Sequence, residues 1–119
     1  MTLTPVAPLF SDAPGLVVSV SAEGATAAVA LHGEVDFATV GVVQDVLGRV
    51  IVDHPGPIIV DLAETRFMDS ASVRVLVLAG RDLEKGGRCL SIRAPSRMAA
   101  RLLETFGSSH LILGGGDDR

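Results

Sequence analysis

The chain has 119 residues and a formal net charge of −4, which fits one domain around one core and argues against a general electrostatic grip on nucleic acid. Hydrophobic residues make up 48% of it and there is no Trp or Tyr, so the core must be built from Val, Leu, Ile and Ala. The single cysteine, Cys89, excludes an internal disulfide framework and a cysteine metal cluster. It reads as a small buried strand residue in a reducing compartment. No apolar run approaches bilayer-spanning length and no signal peptide is evident at the N-terminus, so the expected location is cytoplasmic, without a membrane partner.

Residues 1–15 carry Pro5, Pro8 and Pro14 and read as a flexible N-terminal arm. Leu16–Ser21 reads as a strand, Ala22–Ala25 as a hairpin turn and Thr26–His32 as the returning strand. Gly33-Glu-Val-Asp36 is read as the turn out of it, with Asp36 as N-cap of a helix from Phe37 to about Val52. His54-Pro-Gly-Pro57 stops that helix. Ile58–Leu62 is a buried strand, Ala63–Arg66 a polar turn, and Phe67-Met68 a return to the core.

A second helix starts at Ser70, capped by Asp69, with Val73, Leu76, Val77, Gly80 and Leu83 at helical spacing; it ends at Lys85-Gly86-Gly87. Arg88–Arg93 is a strand, Ser96 caps a third helix ending at Gly107, Leu111–Leu113 is a short last strand and 114–119 a flexible tail. The order β-β-α-β-α-β-α-β predicts one α/β domain over 16–113: a mixed, mainly parallel sheet of about five strands packed with three or more helices.

Two stretches carry a family resemblance. Phe67-Met-Asp-Ser-Ala-Ser-Val73 and Leu31-His-Gly-Glu-Val-Asp-Phe-Ala-Thr39 resemble, in order and at the right separation, the signatures of STAS-domain anti-sigma factor antagonists. The resemblance runs from about Leu16 to Leu113. It implies a STAS fold and a non-enzymatic regulator of transcription that frees a bacterial sigma factor by capturing its anti-sigma factor, a serine kinase-like ATPase. It further implies control by phosphorylation just after the Asp-Ser pair. The matching acceptor position here is Ala71, which has no hydroxyl, so the candidates are Ser70 and Ser72. Ser70 also reads as an ordinary helix-start serine.

On the helix wheel Ala71 points away from the core stripe, and Val75 and Leu78 are apolar residues off that stripe, beside Arg74. Burial of these residues by the N-terminal arm and use as a partner-binding or homodimer patch are both open readings. The partner-binding set implied by the resemblance is Asp36, Asp69, Ser70, Ala71, Arg74, Val75 and Leu78. A phosphate there would gain about 0.3–1 kcal/mol from the helix N-terminus, against about 1–4 kcal/mol of repulsion from Asp69. The expected effect is therefore on a docked partner rather than on the fold.

Asp36, Asp61 and Asp69 all fall at element junctions and read either as an acidic rim or as two caps and a strand-end acid. His32, His54 and His110 show no metal-ligand spacing, and there is no phosphate loop or nucleophile elbow. No cofactor, metal or catalytic residue is expected. A phosphotransfer receiver lacks its acid pair after the first strand, and a hydrolase using Ser70 lacks a histidine base. Within the family, the alternative is a scaffold or accessory subunit of a stress-sensing or membrane-transport complex.

Overall fold

A computed structural model describes residues 14–114; most of the predicted N-terminal arm and tail lies outside the described residues. Two antiparallel strands open the domain, β1 (Leu16–Glu23) and β2 (Thr26–Val35). Only Gly24 and Ala25 separate the Glu23–Thr26 pair, a tighter turn than predicted, and Gly24 takes φ +64° there. Then follow α1 (Val40–Asp53), β3 (Ile58–Asp61), β4 (Thr65–Met68), α2 (Ser70–Lys85), β5 (Leu90–Arg93) and α3 (Arg97–Thr105).

The sheet order is β1-β2-β3-β5, with β4 also paired to β2. Since β1 occupies one edge of β2, β3 and β4 must share the other edge in succession. β3 pairs with Ala27–Ala30 and β4 with Gly33–Val35, both in parallel. The predicted α/β class and mainly parallel five-stranded sheet hold. Thr65–Met68 supplies the fifth strand where a turn had been expected over part of it, because β2 runs three residues past His32 and offers backbone partners there. The predicted strand at Leu111–Leu113 is instead a 3-10 turn over Ser109–Leu111 followed by one parallel bridge, Ile92 to Ile112.

Register explains which face is buried. Val18 lies opposite Leu31, Val29 opposite Val60, and Val60 opposite Ile92. All are buried, and with Val43, Leu47, Val73, Leu76 and Leu103 from the helices they form one core. The aliphatic core predicted from composition is thus realised. The alternate residues Ser19, Ala30, Asp61 and Arg93 form a row on the other face, helix-free among the described residues, and are half-buried. Cys89, expected in a strand core, precedes β5 and is exposed.

Polar contacts fasten the ends. The Arg88 guanidinium donates to the carbonyls of Ile51, His54 and Gly56, which closes the end of α1 against the approach to β5. On the helix-free face Arg93 donates to Asp61 Oδ2 from Nε (3.2 Å) and Nη2 (3.0 Å), and reaches Glu23 through Nη1 (3.1 Å) and Nη2 (3.0 Å). The hydrogen bonds from Arg93 hold the Glu23 carboxyl below the usual carboxylate range. A depressed folded value means that this contribution is present above the unfolded value and is lost as pH falls through the folded one. Wild type should therefore be more stable than Glu23→Gln above the unfolded carboxylate value of about 4.3, and acid unfolding should show that difference shrinking as pH falls below it.

Candidate functional site

The end of the sheet where β2 and β4 finish is assembled by two backbone bonds and one from a threonine side chain. Asp69 N–H donates to the Val35 carbonyl at 3.2 Å, Gly33 N–H to Glu64 at 3.1 Å, and Thr65 Oγ1 to Leu31 at 2.7 Å. These bonds bring the turn after β2 and the start of α2 side by side, although more than thirty residues separate them.

Each of the two turns is held by an aspartate. Asp36 Oδ1 accepts from the N–H groups of Ala38 (2.9 Å) and Thr39 (3.2 Å), while Thr39 Oγ1 accepts from Asp36 N–H (3.0 Å) and donates to the Glu34 carbonyl (2.9 Å). Asp36 was expected to cap a helix beginning at Phe37. It instead organises a turn over 37–39, and α1 begins at Val40 with Thr39 as N-cap. Asp69 caps α2 as predicted: its Oδ1 accepts from Ser72 N–H at 2.9 Å.

The first turns of α2 sort the candidate residues sharply. Ser70, Ala71 and Arg74 are exposed, Leu78 is 47% exposed, and Val75 is half-buried. Ser72 is different. It is 1% exposed, and its Oγ has no hydrogen-bond partner. A kinase has no access to it in the folded chain, so the candidate acceptor role for Ser72 is corrected to that of a core position. The physical reason is angular: Ser72 and Leu83, about three turns apart, lie on nearly the same side of the helix, and both are buried.

Val75 and Leu78 diverge as well. Val75 forms part of the wall of an apolar groove between α1 and α2, of about 430 Å³, with Leu47, Gly48, Ile51, Ala79 and Leu83. Leu78 stands outside it. The exposed patch of α2 is therefore Ser70, Ala71, Arg74 and Leu78, with Val75 at its border.

Asp61 does not join Asp36 and Asp69. Its Oδ1 accepts from Ala63 N–H at 2.9 Å and its Oδ2 is engaged by Arg93 on the helix-free face. Among the described residues no group of three or more His, Cys, Asp or Glu side chains could hold a metal ion, and no helix is long and apolar enough to cross a membrane.

Two further residues at this end carry no functional signal in the sequence. Phe37, read as the first residue of a helix, is 94% exposed on the Asp36 turn. Phe67, read as a return to the core, is 47% exposed, because its register opposite Glu34 directs it to the helix-free face. A hydrophobic letter between an N-cap aspartate and a helix gives no sign of its own that it faces water.

A protein-family model described as "Mlab, STAS domain" matches residues 18–114. The anti-sigma-F factor antagonist RsfB of Mycobacterium tuberculosis (strains CDC 1551 / Oshkosh and H37Rv) is 26% identical over 67 residues, covering 56% of this chain and 55% of RsfB. The chain thus aligns with about half the length of the curated relatives it matches. Among solved structures, an anti-sigma factor antagonist from Mycobacterium paratuberculosis superposes with a TM-score of 0.73 at 22% identity, covering 85% of this chain and 86% of that one. SpoIIAA in its unphosphorylated form gives 0.68 at 19% identity, covering 81% and 85%. At such identities these superpositions establish the shared fold, and the family match spans most of the molecule. The chain belongs to the STAS-domain family.

Proposed function

We propose that this protein is an anti-sigma factor antagonist that docks a kinase-like ATPase anti-sigma factor on the exposed side of the first turns of α2. The observation carrying this reading is the apolar, outward-facing pair Ala71 and Leu78, set beside Arg74 and directly after a capped helix start. A purely solvated helix face would be polar there. The likeness to proteins named as anti-sigma factor antagonists supports the choice of partner.

Ser70 is the phosphoacceptor in this reading, because its side chain is exposed at the helix start. A phosphate on it would leave the fold intact, since the anion-favouring helix N-terminus partly offsets its repulsion from Asp69 and the side chain is solvent-exposed. It would release the partner, whose apolar contact would then have to bury a dianion.

Incubation with the purified kinase-like ATPase and ATP, followed by intact mass spectrometry, tests both parts. One added phosphate is expected on wild type and on Ser72→Ala, and none on Ser70→Ala. A complex that forms without any phosphate transfer would leave the antagonist reading standing and remove the switch. Phosphate retained in Ser70→Ala would place the acceptor elsewhere.

A further inference from the structure

The chain contains four phenylalanines and no Trp or Tyr. Phe106 packs half-buried against the core. Phe37 and Phe67 do not: both are exposed, at the same end of the sheet. Register fixes their relation. Phe67 pairs with Glu34, Met68 with Val35, and the turn that follows β2 carries Phe37. A chain this poor in aromatics has set two of its rings toward solvent at the end of the sheet where the proposed docking helix begins.

We propose that Phe37 and Phe67 are aromatic anchors of the docking surface, with Phe37 filling an apolar pocket edged by Arg or Lys on the anti-sigma factor. The inference rests on the antagonist reading and extends its contact from α2 to the end of β2. Two observations and one general tendency support it. Asp69 N–H is bonded to the Val35 carbonyl, so a protein seated on Ser70 and Ala71 reaches the Asp36 turn without a gap. The Phe37 turn is fixed by four short polar contacts among Glu34, Asp36, Ala38 and Thr39, so burying its ring orders little that is not already ordered. Aromatic side chains, phenylalanine among them, are enriched at the cores of protein interfaces.

Charge selects the kind of occupant. Glu34, Asp36, Glu64 and Asp69 gather at this end, against Arg66, which stands 3.9 Å from Glu34, and Arg74. An acidic rim around exposed rings disfavours an anionic lipid surface and suits a pocket bordered by cations.

Calorimetric titration of the purified kinase-like anti-sigma factor from the same genome against wild type, Phe37→Ala, Phe67→Ala and Leu78→Asp tests the assignment, alongside thermal melts and sedimentation of each variant. Phe37→Ala should weaken binding at least about 10-fold, Phe67→Ala by a smaller factor, and neither should lower the melting temperature appreciably. Binding by Phe37→Ala within about twofold of wild type, with Leu78→Asp inactive, would overturn the anchor and leave the antagonist reading intact. A wild type that does not bind would overturn both. A wild-type dimer dissociated by Phe37→Ala would make the occupant a second copy of this chain and overturn the assigned partner.

Discussion

Replacing Gly33 with alanine is expected to destabilise the protein by about 3–5 kcal/mol, a large share of the roughly 5–15 kcal/mol that holds a domain together. Gly33 has φ +124°, and a β-carbon built on it would lie 2.1 Å from the backbone carbonyl oxygen of Gly15. That carbonyl cannot withdraw without losing the bond it accepts from Glu34 N–H at 3.0 Å. The pairing of β2 with β4 shifts register at this same point, so relaxation of either strand would disturb the other. Gly24→Ala supplies the comparison. Gly24 also has positive φ, +64°, but its added β-carbon would meet nothing within 4 Å, and conformational strain alone costs about 1–2 kcal/mol. Urea unfolding of the two variants checks the difference. Equal losses would show that the close approach of Gly15 contributes nothing.

Leu78→Asp is expected to weaken capture of the anti-sigma factor by more than about 100-fold while moving stability by no more than about 0.5 kcal/mol. The side chain is 47% exposed, so a charge there remains solvated in the free protein. In a complex the same carboxylate would be stripped of water against apolar surface. Val75→Asp gives a less clean result, because Val75 walls the groove between α1 and α2 and a charge there is partly buried even without a partner. Urea titration and calorimetry on both variants separate the effects: Leu78→Asp should fail in binding alone, and Val75→Asp in binding and stability together. Loss of stability in Leu78→Asp comparable to that in Val75→Asp would make position 78 a packing residue.

The elements whose hydrophobic period is unambiguous were legible in the sequence. The span Ser70–Lys85, its Asp69 cap and the Ser96 cap of α3 follow from side-chain spacing and from residue types that bond the first free N–H groups of a helix. Less legible were features set by long-range pairing. Thr65 and Arg66 read as the end of a polar turn and Phe67-Met68 as a return to the core, yet Thr65–Met68 is one strand because β2 continues to Val35 and offers it partners. Gly33 reads as a turn glycine; it sits inside β2, where a neighbouring backbone crosses too close for a side chain. At the site, the wheel placed Ala71 outward correctly. It sets Ser70 nearer the core edge and Ser72 on the flank, whereas Ser70 is exposed and Ser72 is buried, because a residue beside the core stripe is buried or exposed according to what stands next to the helix. Phe37 was illegible for the same reason: exposure on a turn depends on neighbours brought in by the fold.

The most direct test of a docking surface at the start of α2 is amide hydrogen exchange on this protein, alone and saturated with the kinase-like anti-sigma factor. Slowed exchange is predicted across residues 70–78, with a second protected stretch at 36–39 beside it. Unchanged exchange over 70–78, with protection confined to the helix-free face of the sheet, would contradict it.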